Sequence, residues 1–256
     1  WRSLVEDALS RIQVGELEKV VAAQRSQLQT NDCFDVAAAL ENLRQQHAAC
    51  TRFAIQRGES ILVGATPEKL VERRGTQLLA DALAGSRPRG GDAPEDEDED
   101  EAQALLRDDK ERREHEHVAA ALRALLSRYA SQPLARTQPQ VRTLRNIQHL
   151  WTPMCATLAA NQSVHVLELV EQLHPTPAVC GAPREAAARW IATHEPAPRG
   201  WYASPIGWWN SDGEGAFHVA LRCAVVRERK AWLYAGAGLV SGSDPEREYR
   251  ETAAKQ

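Results

Sequence analysis

With 256 residues and a formal net charge of −4, the chain can bury one large core and carries no electrostatic footprint for nucleic acid. Its 31 Lys and Arg residues are scattered rather than massed on one segment, which argues against a basic nucleic-acid-binding arm. No apolar run reaches membrane-spanning length, and no signal peptide is expected. The five cysteines (Cys33, Cys50, Cys155, Cys180, Cys223) never form C-x-x-C, so reduced thiols, a cytoplasmic location and no zinc site are expected.

In chain order, residues 1–13 carry helical periodicity through Leu4, Ala8 and Ile12, and Gly15 stops the helix. Trp1 falls inside this helix and is not Met, so the sequence is expected to be an excerpt of a longer protein. Leu17–Leu28 alternates as a strand does, and Val36–Gln46 reads as a second helix. Short strands follow at Arg52–Gln56, Ile61–Val63, Leu70–Arg73 and Gln77–Ala82, separated by glycine turns. From Arg87 to Glu101 the chain reads as a loop, and within it 91–101 as an acidic flexible segment, because Glu95–Glu101 consists wholly of Asp and Glu. One long helix is predicted over Ala102–Tyr129, a loop over Pro133–Pro139, and strand, turn, strand over Val141–Leu158. Helices at Val164–Leu173 and Arg184–His194 precede three strands (Gly200–Trp208, Ala216–Arg227, Ala231–Val240) and a last helix. Strands and helices without strict βαβ alternation point to an α+β class in a single domain spanning 1–256.

Several clusters carry chemistry. The closing stretch, AWLYAGAGLVSGSDPEREYRETAAKQ, reads as strand, glycine turn and helix, with Ser243 or Asp244 as N-cap and Pro245 in the first turn. Glu248 and Glu251 lie three apart on one face of that helix, as Glu111 and Glu114 do on the long one. Two such helices facing each other would supply four carboxylates, a donor set for Mg²⁺ that keeps some of its waters; the alternative is two solvated acidic faces. His115 and His117 are two apart and cannot chelate one metal from a helix. Backbone N–H groups at Gly236–Gly238 are placed for an anion. The dinucleotide fingerprint fails there, because residue 241 is Ser. Ala82–Arg87 reads as a turn whose N–H groups and Ser86 hydroxyl suit a carboxylate, or as a plain hairpin turn. Arg222, in the alternating strand Ala216–Val226, needs an acidic partner if buried, either a substrate carboxylate or a structural ion pair. Lys19, between Leu17 and Val20, has little polar company, and a desolvated lysine has a lowered pKa and serves as a base.

Nine ordered blocks resemble the chorismate-utilising enzymes: LEKVV (17–21), LVGATPEKLV (62–71), LAGSRPRG (83–90), KERREHEHV (110–118), NIQHLWTP (146–153), LHPTPAVCG (173–181), RGWYASPIGWW (199–209), FHVALRCA (217–224) and LYAGAGLVSGSDPEREYRETAAK (233–255). The resemblance implies a large α+β chorismate-binding fold, like that of anthranilate synthase, with two β-layers flanked by helices and the active site in the cleft between them. It also implies an N-terminal segment that is absent here. Lys19 speaks against the amine-transferring anthranilate branch and Ala84 against the aminodeoxychorismate branch. What remains is water addition, and the NIQHLWTP, LHPTPAVCG and SDPEREY blocks look most like isochorismate synthases of the menaquinone or phylloquinone type. A salicylate synthase, or a catalytically silent module whose acidic helices only bind cations, are the alternatives.

By the same resemblance, Lys19 activates water for attack at C2 of chorismate, and Glu68 protonates the departing C4 hydroxyl. Mg²⁺ is held by Glu114 and Glu251 with Glu111 and Glu248 in support. Tyr202, Arg222, the Gly236 backbone and Lys255 take the enolpyruvyl carboxylate, Gly85 and Ser86 border the ring carboxylate, and His149 lines the ring. Chorismate is the expected small-molecule partner, without nucleic acid or membrane; a monomer is compatible with this. Ser204 stands where the family commonly has glycine, which would crowd the pocket near Tyr202, and Ala22-Ala23-Gln24 departs from the usual continuation after KVV.

Overall fold

The computed structural model describes residues 1–89 and 95–256, and of 95–98 the backbone alone. Helix α1 (Arg2–Gln13) buries Val5 and Ala8 and leads into strand β1 (Lys19–Gln29), whose first five residues are buried while its far half emerges. Helix α2 (Val36–Gln46) starts at Asp35, whose carboxylate accepts the Ala38 N–H at 2.9 Å, an N-cap that satisfies one orphan donor of the first turn. Strands β2 (Thr51–Arg57), β3 (Ser60–Thr66), β4 (Lys69–Arg74) and β5 (Gln77–Pro88) follow. Next come helices α3 (Glu95–Arg107) and α4 (Asp109–Ser127), strands β6 (Gln140–Thr143) and β7 (Ile147–Thr157), and helix α5 (Val166–Leu173). The last third holds β8 (Gly181–Ala182), α6 (Arg184–His194), β9 (Pro205–Trp209), β10 (Gly215–Val219), β11 (Cys223–Arg227), β12 (Lys230–Leu239) and α7 (Pro245–Lys255).

The strands form two antiparallel six-stranded sheets, ordered β2-β3-β11-β12-β1-β8 and β6-β7-β5-β4-β10-β9. The main core joins both of them: Ala23, Leu62 and Tyr234 of the first meet Val71, Ala80 and Phe217 of the second, with Val118, Leu122 and Leu126 of α4. Those three α4 residues lie at helical i, i+4, i+8 spacing, so one stripe of the helix is apolar and buried while Arg112 and Arg113 stay outside. A second cluster seats α1 and α6 on β1 through Val5, Ala8, Val20, Ala187 and Trp190.

Two of the places where the chain changes sheet lie side by side, and this positions the site. The chain runs from β3 through Thr66-Pro67-Glu68 into β4, and from β10 through Ala220-Leu221-Arg222 into β11. The two crossings are laced together: Val219 N–H donates to the Glu68 carbonyl at 3.1 Å, and Ala65 N–H to the Arg222 carbonyl at 3.1 Å. Arg222 bends the second crossing in the left-handed region, φ +48°. A strand continuing over Ala216–Arg227, as the alternation predicts, would stay in one sheet; the break at Arg222 divides it between two.

Two further expectations are corrected. The predicted helix over Ala102–Tyr129 is two helices, because the Asp108 carboxylate accepts from the N–H groups of Lys110 (3.0 Å) and Glu111 (3.2 Å) and starts a new one. The predicted acidic flexible loop 91–101 is helical from Glu95 onward; its residues 91–94 lie outside the described residues. Acidic side chains suit the positive end of a helix, Glu101 pairs with Arg87 at 2.7 Å, and Leu105 in the last turns is fully buried, so α3 has both electrostatic and apolar reasons to form. Among the described residues no helix is long and apolar enough to cross a membrane, and all five cysteines are free.

Candidate active site

A cavity of about 60 Å³ opens between the sheets beside the two crossings. Its lining includes Glu68, Ser86, Glu114, His149, Tyr202, Arg222, Gly236 and Lys255, eight of the residues singled out by sequence. Glu68 comes from the first crossing and Arg222 from the second, so both are held by the hydrogen bonds that join the sheets. Arg142 fixes the first crossing from behind: its Nη1 donates to the Pro67 carbonyl (2.9 Å) and Asp81 (3.3 Å) while its guanidinium lies 4.1 Å over Trp151. Glu68 is buried without a basic partner at ion-pair distance among the described residues, and burial pushes its carboxyl up to about 8 against the pull of Lys19. The group is therefore a neutral acid at pH 7.

Lys19 stands at the buried start of β1, with no solvent exposure. Its Nζ lies behind the cavity wall, 3.3 Å from Glu114 Oε1. Burial lowers its pKa, with Glu114 pulling the other way. The sequence suggests a lysine without polar company; the fold supplies it a carboxylate, since an unpaired buried ammonium costs several kcal/mol. Gly238 makes the approach possible: a Cβ there would lie 1.9 Å from Glu114 Oε1 and 3.0 Å from Lys19 Cε. Gly238→Ala is expected to push Glu114 and Lys19 apart and cut activity at least about tenfold, while circular dichroism stays native; a full-rate Gly238→Ala enzyme would show that this contact is dispensable.

On the opposite wall, Arg222 has no acid within ion-pair distance among the described residues; its Nη2 donates to His149 Nε2 at 2.8 Å. Burial, then the charge of Arg222, holds the His149 pKa well below its ordinary value. The ring is neutral, with Nε2 as acceptor, so the proton sits on Nδ1 and is donated to Ser86 Oγ at 2.8 Å. Ser86 does not lie in a turn, as the LAGS sequence suggests, but in β5, where pairing with β7 shifts register between Leu83 and Ser86. Its N–H is taken by Glu111 Oε2 at 2.8 Å, which leaves its hydroxyl rather than its amide at the cavity. Gly85 does not line the cavity; with φ +78°, a Cβ there would strike the Glu111 carbonyl at 2.7 Å, so it lets β5 pass close to α4. Tyr202 is buried and stacks on Tyr234, ring centroids 5.2 Å apart. Lys255 donates to the Gly236 carbonyl at 2.9 Å and pairs with Glu251. Ser204 turns away and donates to the Trp201 carbonyl at 2.6 Å, so it does not crowd the cavity.

Beneath the cavity α4 and α7 face each other through Glu111, Glu114, Glu248 and Glu251, all buried. Burial drives Glu111 and Glu248 up to about 7 each, whereas Lys19 and Lys110 outweigh burial and hold Glu114 down at about 2. Glu248 Oε1 meets Lys110 at 2.8 Å, and its buried Oε2 has no hydrogen bond. Among the described residues no three acids converge tightly enough to ligate one metal ion. The donors nevertheless suit a hard cation in kind: all are oxygen, all are dry, and Glu248 has unused lone pairs.

Two basic residues at the site escape the sequence reading. Arg199 donates to the carbonyls of Val21 (2.8 Å) and Val179 (2.5 Å), two cavity residues, and is itself pinned by Glu195. Lys110 lies inside the carboxylate group. Both belong to quoted blocks (RGWYASP and KERREHEHV), where the acids and aromatics draw the eye first.

The chain matches the chorismate binding enzyme family over residues 1–256 and belongs to it. Over its whole length it is 43% identical to the salicylate biosynthesis isochorismate synthase of Pseudomonas aeruginosa and 35% identical to an isochorismate synthase of Bacillus subtilis. It covers 52% and 53% of those two proteins, about half their length. It superposes on the menaquinone-specific isochorismate synthase of Escherichia coli with a TM-score of 0.87 at 36% identity, covering 100% of this chain and 58% of that one. The two-layer α+β fold expected from the motifs is the fold observed.

Proposed function

We propose that this chain carries the catalytic site of an isochorismate synthase, which adds water at C2 of chorismate and releases the C4 hydroxyl. The observation that supports this reading best is the opposed tuning of two buried groups, one lining the cavity and one directly behind its wall: a carboxyl kept protonated to about pH 8 and an amine whose charged form is disfavoured. That is the pairing an allylic exchange of hydroxyl for water needs. Lys19, as the free amine, takes a proton from the attacking water; Glu68 gives its proton to the leaving hydroxyl, so that water is both consumed and produced. Arg222, steadied by His149 and lacking an acid of its own, receives a substrate carboxylate bidentately. Tyr202, Lys255 and the Gly236 backbone complete that end, and the Ser86 hydroxyl borders the ring. Mg²⁺ held by Glu114 and Glu251, with Glu111 and Glu248 in support, would neutralise the ring carboxylate and the charge that develops beside it.

The relatives' names carry more than one biosynthetic route, so our reading rests on the shared step, with the menaquinone route retained from the motif pattern. The reduced thiols suit a cytoplasmic location. Incubation with chorismate and Mg²⁺ should give isochorismate in equilibrium with chorismate, and isochorismate supplied alone should return chorismate. Salicylate and pyruvate in equal amounts, with no isochorismate on chromatography, would move the protein to the salicylate branch. Glu114→Ala and Glu251→Ala are each expected to lose Mg²⁺ binding and activity together; full activity after exhaustive chelation would refute the metal site.

A further inference from the structure

Lys110 is the second residue of α4, and the first turn of a helix is a poor place for a cation, because the backbone dipole presents positive charge there. Water is close at that end, and a lysine stem is long enough to reach it. The side chain instead folds inward, 8% exposed. Its Nζ lies 3.2 Å from Glu111 Oε1, 3.4 Å from Glu114 Oε2 and 2.8 Å from Glu248 Oε1. It thus touches carboxylates of both helices at once. Other cations touch single acids of the group: Lys255 pairs with Glu251, Lys19 with Glu114 at 3.3 Å and Arg247 with Glu111 at 2.9 Å. Without an internal cation, acids on α4 and α7 would repel across a dry space and force the helices apart or take up protons. The ammonium occupies the place from which a cation bridging the two helices would act. Its fit is incomplete: the ammonium meets Glu248 through Oε1, while the buried Oε2 has no hydrogen bond. A smaller, doubly charged ion would draw the same oxygens closer.

We propose that Lys110 is the built-in counter-ion of the metal-free protein, closing the carboxylate cage between α4 and α7, and that a divalent cation enters only as this ammonium leaves. The inference rests on the reading of the cage as a Mg²⁺ site. Metal uptake is then an exchange of one cation for another. The observed affinity is weakened by the cost of moving Lys110, and the metal-free fold is held together by the same residue. The direction of exit is set by the chain: Lys110 sits at the open end of α4, next to the break at Asp108, so its stem has water to turn into.

The test is Mg²⁺ titration by calorimetry on the wild type and on Lys110→Met, which keeps the stem and removes the charge. Thermal unfolding of both is followed with and without Mg²⁺. Removing a like charge from the metal's place is expected to tighten Mg²⁺ binding about tenfold or more. The metal-free variant should melt lower than the metal-free wild type and gain more from Mg²⁺. In the wild type, acetic anhydride labelling read by mass spectrometry should leave Lys110 unmodified without metal and modify it when Mg²⁺ is saturating. Equal or weaker Mg²⁺ binding by Lys110→Met overturns the proposal, as does a Lys110 that stays protected in saturating Mg²⁺. Should Lys110→Met fail to fold, the labelling of the wild type decides alone. If neither protein binds Mg²⁺ at millimolar concentrations, the cage is not a metal site and both readings fall. If the wild type binds it and the variant binds no better, only the counter-ion role is lost.

Discussion

Lys19→Ala is expected to lower turnover by about 10²–10⁴-fold, the contribution of a positioned general base, while chorismate still binds. Water is a poor nucleophile until its proton is taken, and the other described groups at the cavity are less suited to take it: Glu114, held down at about 2, is too weak a base. Glu68 is protonated to about pH 8, and His149 already accepts a hydrogen bond from Arg222 through its only free nitrogen. Truncation leaves a small void and removes one of two cations beside Glu114; Lys110, 3.4 Å from Glu114 Oε2, keeps that carboxylate paired, so the fold survives. Lys19→Met, which fills the void without an amine, should be as inactive as the alanine variant. The wild-type rate should rise with pH as the Lys19 ammonium, destabilised by burial, gives up its proton, and then fall above about 8 as Glu68 ionises. The acid limb should vanish from the residual activity of Lys19→Met. A near-normal rate in either variant would sink the base assignment.

What was legible in the sequence follows from how local each cause is. Helix α2 and helix α6 match their predicted bounds because capping and periodicity act within a few residues. The opposed carboxylate pairs were visible as two i, i+3 spacings on amphipathic helices. That they meet depends on chain separated by more than a hundred positions, and only family resemblance suggested it. The break at Arg222 was hidden because the apolar alternation of β10 runs on in phase through β11; nothing local marks the change of sheet except a left-handed residue, which the sequence does not announce. The split between α3 and α4 did leave a trace, since Asp108 followed by Glu111 has the spacing of an N-cap signature. Lys110 was missed for a physical reason as well: in isolation a helical lysine belongs to solvent, and only a surplus of buried acids brings it inward.

Glu68→Gln should separate activity from stability, and the two effects should have opposite signs. An amide cannot deliver a proton to the leaving hydroxyl, so turnover should drop by about 10²–10⁴-fold even though side-chain size and polarity are nearly kept. Stability should move the other way. The Glu68 carboxyl titrates near its ordinary value of 4.5 in the unfolded chain and at about 8 in the folded one, because burial disfavours its charge. A folded-state pKa raised above the unfolded value means that the folded protein binds more protons between those limits. Stability from this group is therefore full below about 4.5 and is lost progressively as pH climbs to about 8. Glutamine has no proton to lose. Glu68→Gln should then be more stable than the wild type at pH 8 by up to a few kcal/mol, with the difference shrinking towards pH 4.5. Thermal unfolding across that range, paired with chorismate turnover, checks both halves. A variant that loses activity without gaining alkaline stability would mean that Glu68 is charged in the folded protein, and a charged Glu68 cannot be the acid that releases the C4 hydroxyl.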